Sequence, residues 1–267
     1  MFRPSELHSF LESIGARAKK SLSQNFLIDG NILDKIIALS DLKEGESVLE
    51  IGPGPGALTQ KLLLKGAHVT AVEKDTLFAQ HLPAHLNLKV LNRDIKDFDP
   101  HSLYMPDQKT KIIANLPYHL TAVILGMFII RGDIFSKLVI MVQNEVALRM
   151  VAQPSTPDYS SLSVFLQYYS TPRYAFKVSR HCFSPAPKID SAVVVLDLKE
   201  RITQKGLFSF VREAFQKKRK MLTTSLSAFG KERVQEALLC LGLEKEARPS
   251  TLSVNHWIAL YESLTLK

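Results

Sequence analysis

The sequence predicts an α/β fold built on a mostly parallel sheet, and two observations carry that reading. Between Ser47 and Val142, short β-branched or apolar runs alternate with stretches of helical length, and a turn holding Gly52, Gly54 and Gly56 joins the first run to the first of those helices. With 267 residues, 46% of them hydrophobic, the chain can bury one large core and a smaller second one.

The strand-like runs are residues 47–51, 68–73, 88–91, 111–114 and 137–142. Crossover helices are expected over 57–64, 75–82 and 120–130, the first after the glycine turn and the third after a proline turn. Ahead of the sheet, 5–14 and 31–40 have helical periodicity. After it, 144–151 reads as a helix, and 174–178 and 192–198 read as strands flanking a proline-rich loop, a hairpin-like edge to the sheet. Strand signals stop near Arg201, and 207–215, 231–241 and 254–264 read as amphipathic helices, which places a domain boundary near 200–205.

The longest apolar run, 122–130, ends at Arg131 and is far shorter than the roughly 20 residues of a membrane span, so a buried helix and no membrane partner are expected. The N-terminus shows no export signal, which points to the cytoplasm. Cys182 and Cys240 are far apart, with no ligand spacing around them, so neither a disulfide framework nor a metal site is expected, and both read as packing residues. A net charge of +8 suits a polyanionic partner.

Glu50-Ile-Gly-Pro-Gly-Pro-Gly56 ends a strand and opens a helix, where glycine lets the backbone turn tightly against a ligand. A nucleotide-type cofactor is expected against Gly52, Gly54 and Gly56. The string also satisfies the relaxed dinucleotide fingerprint, so by itself it does not separate a dehydrogenase from a methyltransferase. Glu73 ends the second strand, where a carboxylate can accept from two ribose hydroxyls, and Asp94 follows the third, where it can accept from an adenine amine.

Asn115-Leu-Pro-Tyr118 follows the apolar run 111–114 at the expected tip of the fourth strand. An adenine N6 amine is a poor nucleophile because its lone pair is delocalised into the ring. Two acceptors, the Asn115 side-chain oxygen and a backbone carbonyl at Leu116 or Pro117, can hold both N–H groups and turn the lone pair toward a methyl donor. Tyr118 can stack on the base.

Taken with Gln24-Asn-Phe-Leu27, Gln143-Asn-Glu-Val-Ala147 and Phe183-Ser-Pro-Ala-Pro-Lys-Ile-Asp-Ser191, these motifs resemble the ribosomal RNA adenine dimethyltransferase family, in order, over roughly residues 19–226. The resemblance implies a Rossmann-like class I methyltransferase fold with a seven-stranded sheet and helices on both faces over 1–203, including an N-terminal helical segment over 1–45. A small all-helical domain over 204–267 would bind RNA or the ribosome.

It implies S-adenosyl-L-methionine as cofactor, held by Asn25, Leu27, Gly52, Gly54, Glu73, Asp94 and Asn115. Asn115, Leu116, Pro117 and Tyr118 would form the catalytic turn, and Phe183 would stack on the other face of the adenine. Within the family the likeness is to the bacterial small-subunit branch, which dimethylates two adjacent adenosines in a hairpin loop near the 3′ end of 16S ribosomal RNA. The partner is then 16S rRNA in an assembling small subunit, and the chain a monomer.

Lys217, Lys218, Arg219 and Lys220 match the family's basic linker and are suited to RNA phosphates. Where the family usually has glycine before Gln24, this chain has Ser23. The neighbouring alternatives are a resistance enzyme acting on large-subunit RNA and a non-catalytic RNA or transcription factor on the same fold.

Overall fold

The structure, a computed structural model, describes residues 4–18, 24–202, 204 and 206–265. It divides into two compact units, Met1–Ala147 with Thr171–Glu200, and Leu148–Ser170 with Arg201–Lys267.

The first unit is built on a seven-stranded sheet. In chain order its strands are β2 (Ser47–Ile51), β3 (His68–Glu73), β4 (Leu88–Asn92), β5 (Thr110–Asn115), β6 (Phe135–Gln143), β7 (Ser170–Val178) and β9 (Ser191–Leu198). In space they run β4-β3-β2-β5-β6-β9-β7. The strands from β4 to β6 are parallel, and β9 enters antiparallel to β6, with Gln143 opposite Ser191. The central strands are continuous apolar runs, as a sheet covered on both faces requires, and Leu49, Ile112, Ile113, Val139 and Val194 are buried. A separate two-residue ladder pairs β1 (Phe26–Leu27) with β8 (Phe183–Ser184).

Local chemistry sets the helices. Asp29 caps α2 (Gly30–Leu39) by accepting from the Asn31 and Ile32 amides, and the helix buries Ile32, Leu33, Ile36 and Ile37 along one face. Asp75 caps α4 (Thr76–His81) in the same way. Between them, α3 (Ala57–Leu64) leaves the glycine turn directly, while α1 (Pro4–Ser13) precedes the sheet and α5 (Thr121–Phe128) follows the turn after β5. Since β3 lies on one side of β2 and β5 on the other, the strand order reverses at β2. The loops leaving β2 and β5 therefore diverge and open a crevice at the carboxyl edge of the sheet, where such sheets bind ligands.

The second unit takes in Arg201–Lys267 together with Leu148–Ser170, a stretch the sequence places with the sheet. A helix absent from the sequence reading, α7 (Ser161–Tyr169), follows α6 (Asn144–Val151), and its aromatic face belongs with the C-terminal helices. Phe165, Tyr168 and Tyr169 pack around Phe208 of α8 (Leu207–Gln216), with ring centroids 4.9, 5.3 and 5.5 Å away. The reason is burial: three large rings on a nine-residue helix outweigh a polar lead-in, and Ser160 with Ser163 forms the capping box that starts it. The remaining helices, α9 (Leu222–Ser225), α10 (Lys231–Cys240) and α11 (Val254–Thr265), complete the unit, whose core includes the fully buried Trp257. Cys240 is exposed at the end of α10, so it is not the packing residue expected. Among the described residues, no helix is long and apolar enough to cross a membrane.

Candidate active site

The crevice is a cleft with about 1290 Å³ of empty space, counting its open mouth, and all of its lining comes from the first unit. The turn after β2 forms its floor. Gly52, Gly54 and Gly56 all have positive φ, at 67°, 54° and 85°, which explains why three alternate positions are glycine. At Gly54 the constraint is double, because a Cβ there would lie 3.2 Å from the Phe26 ring.

The acids around this turn are more committed than their positions alone suggest. The two carboxylate oxygens of Glu73 accept from the Gly54 amide at 3.0 Å and the Asp75 amide at 2.7 Å, so Glu73 ties β3 to the glycine turn. Burial pushes its carboxyl up, and the two amide bonds pull it partly back. Glu73 lines the cleft, and each of its oxygens has a second lone pair, enough for two hydroxyl donors. Asp94 accepts from the Lys96 amide and pairs with Lys74 at 2.9 Å, and that ammonium holds its carboxyl below the usual range.

Glu50, quoted in the glycine motif but given no role from sequence, is buried and accepts from the Thr59 hydroxyl at 2.7 Å. Burial raises its carboxyl to about 8, so it is neutral over most of the physiological range. Folded, it binds its proton more tightly than the unfolded chain does. Its contribution to stability is therefore full below the ordinary carboxyl range and lost as pH rises toward about 8. Glu50→Gln should flatten that slope, read as Tm measured from about pH 5 to about pH 8. An unchanged slope would assign the titration to another group.

Asn115, at the tip of β5, donates from Nδ2 to the Asn25 carbonyl at 3.3 Å. That bond orients the amide and leaves Oδ1 as an acceptor to which none of the described residues donates. The sequence left the second acceptor open between Leu116 and Pro117. In the structure the Pro117 carbonyl is taken by the Leu120 amide at 2.9 Å, closing a tight turn. The Leu116 amide donates to Met141, and among the described residues no hydrogen bond reaches the Leu116 carbonyl. The open pair is therefore Asn115 Oδ1 and Leu116 O. Asn25, Leu27, Gly52, Gly54, Glu73, Asp94, Asn115, Leu116, Pro117 and Tyr118 all line the cleft.

Two features were missed from sequence. The Tyr118 hydroxyl sits 2.6 Å from Ser191 Oγ, at the fully buried start of β9, and burial pushes its phenol up. The Asn25 carbonyl fixes Asn115. Both partners were quoted within motifs, but only strand register and the chain's return path bring them to the site.

Phe183 departs from expectation. It does not line the cleft; it pairs with Leu27 in the short ladder and is buried in the cluster that contains Ile32, Leu33 and Ile36. An apolar ring placed in that ladder gains about 2–3 kcal/mol by leaving water. Stacking on a base would require it to leave the cluster. Lys217, Lys218, Arg219 and Lys220 lie in the second unit on a turn after α8, not on a helix face. Three are exposed, and Lys218 is half-buried, donating to the Pro157 carbonyl at 2.6 Å. Ser23 lies outside the described residues.

The strand order, glycine turn and cleft define the class, an S-adenosylmethionine-dependent methyltransferase. The sequence model described as ribosomal RNA adenine dimethylase matches residues 15–266, and the chain belongs to that family. It is 50% identical to the "Ribosomal RNA small subunit methyltransferase A" of Protochlamydia amoebophila (strain UWE25), an alignment covering 99% of this chain and 97% of that one.

Among solved structures, a dimethyladenosine transferase from Plasmodium falciparum superposes with a TM-score of 0.77 at 26% identity, covering 88% of this chain and 95% of that one. The 23S rRNA methyltransferase ErmE superposes with a TM-score of 0.69 at 26% identity, covering 90% and 99%.

Proposed function

We propose that the chain transfers methyl groups to the N6 atoms of two adjacent adenosines in a hairpin loop near the 3′ end of 16S ribosomal RNA. It would act as a monomer, in the cytoplasm, on an assembling small subunit. The observation that carries the reading is the open acceptor pair, Asn115 Oδ1 and Leu116 O, on the wall of a cleft floored by the glycine turn. Two acceptors match the two N–H groups of an adenine amine, and gripping both turns the nitrogen lone pair out of conjugation. Tyr118, held at its hydroxyl by Ser191, offers its ring to an extruded base, whose unstacking costs a few kcal/mol that stacking offsets.

S-adenosylmethionine, when bound, supplies an electrophilic methyl group on a good leaving group, so no strong base or metal is needed first. Glu73 would accept from its ribose hydroxyls while holding the Gly54 amide, and Asp94 would accept from its adenine amine. Asn25 and Leu27 would close over it from the short ladder, Asn25 also setting the Asn115 amide.

The large-subunit alternative is disfavoured by identity: 50% over nearly the full length to a relative named for the small subunit, against 26% to the 23S enzyme. Offering the purified protein and labelled S-adenosylmethionine to unmethylated small and large subunits, then digesting to nucleosides, tests the proposal. Dimethyladenosine from the small subunit alone is expected, and label appearing only in the large subunit would overturn it.

The basic turn of the second unit is assigned to RNA phosphates. Changing Lys217, Lys218, Arg219 and Lys220 together to alanine should weaken RNA binding and lower the slope of log K against log salt by about 2–3. A slope equal to that of the parent protein would return the turn to solvated surface.

A further inference from the structure

A second group of cations lies in the first unit, at the end of β7 and on the segment that returns from it to β9. The Lys177 ammonium is 2.8 Å from Asp190 Oδ2, and the Arg180 amide donates to Asp190 Oδ1 at 3.0 Å. The Arg180 guanidinium reaches the Lys188 carbonyl at 3.4 Å. The Asp190 carboxylate thus pairs with one cationic side chain, Lys177, and holds the main chain at Arg180, whose guanidinium in turn bonds the Lys188 carbonyl; all three cationic side chains are exposed. Two positive charges stay uncompensated in this group.

Its location gives the group meaning. Asp190 precedes Ser191, whose hydroxyl holds Tyr118, and its carbonyl accepts from the Asn144 amide at the start of α6, directly after β6. The same return segment carries Phe183, paired with Leu27, two residues from the Asn25 carbonyl that fixes Asn115. The segment is therefore anchored at two points to the elements that carry the acceptor pair and the aromatic ring. A nucleotide extruded onto Tyr118 remains joined to its strand, which carries one phosphate charge per about 3.4 Å of helix rise.

We propose that Lys177, Arg180 and Lys188 form an RNA-phosphate site that holds the strand flanking the target adenosine, with Asp190 anchoring the Lys177 ammonium and the Arg180 main chain. The inference rests on the proposed methyl transfer to RNA and adds a binding site on the catalytic unit, separate in sequence from the basic turn at 217–220. Carboxylate scaffolding has a cost in field: Asp190 offsets one of the three charges. Lys177 in turn keeps the Asp190 carboxyl below its usual range, so the offset persists at neutral pH.

The test measures binding of a small-subunit hairpin RNA as a function of salt, with cofactor affinity and methyl transfer recorded on the same preparations. Lys177→Gln, Arg180→Gln and Lys188→Gln combined should weaken RNA binding about tenfold or more and lower the salt slope by about 2, leaving cofactor affinity unchanged. Asp190→Asn keeps an acceptor for the Arg180 amide but removes the opposing charge. It should move both quantities the other way, a response that loss of local packing would not produce.

A salt slope unchanged in the triple variant, or unchanged in Asp190→Asn, overturns the site. Should the triple variant fail to fold, Lys188→Gln alone and Asp190→Asn decide the matter, with equal slopes in both counting against the site. A parent protein that binds the RNA but transfers no methyl group would instead defeat the reading of function.

Discussion

Asn115→Ala is expected to lower methyl transfer by two or more orders of magnitude while leaving the fold and cofactor affinity largely intact. The side chain supplies one of the two open acceptors, so its loss lets the target amine rotate back into conjugation, a failure of orientation. The stability change should be small, about 1 kcal/mol, because only the hydrogen bond to the Asn25 carbonyl is lost. Single-turnover rates at saturating RNA, with cofactor affinity by calorimetry, separate the two effects. Turnover within threefold of the parent protein would remove Asn115 from its role.

Phe183→Ala should produce the largest loss of stability among the site variants, about 3–5 kcal/mol, because it empties a buried position against Leu27. For a protein of this size that corresponds to a fall in Tm on the order of 10 °C. Phe183→Leu keeps an apolar side chain in the cluster and should recover most of the stability and, with it, most of the turnover. A leucine variant that is stable yet loses two orders of magnitude in turnover would show that the ring leaves the core to meet the base.

Much of the fold was legible because its signals are local. The glycine turn fell where expected since three positive-φ residues admit little else. The strands β2 and β3 and the helices α3 and α6 have the bounds that the periodicity predicts, because apolar spacing and caps set them within a few residues. What was illegible depends on residues distant in the chain. No local rule shows that Glu73 binds the Gly54 amide or that Lys74 neutralises Asp94. The proline-rich context of Phe183 reads as an exposed loop until its pairing with Leu27 is known. α7 was missed because a polar stretch rich in Ser, Thr, Pro and Asp precedes rings that find their partners some 40 residues later.

The tight turn that occupies the Pro117 carbonyl leaves Asn115 Oδ1 and Leu116 O as the open acceptors beside it. In the proposed site an unmodified adenine amine would satisfy both oxygens, a singly methylated one would satisfy one, and the finished dimethylamine neither. In the proposed grip each addition would thus loosen the hold on the nitrogen it has just changed, and the fully modified base would leave both acceptors unmet. Discharge of the completed nucleoside would in this way follow from the recognition that first selected it.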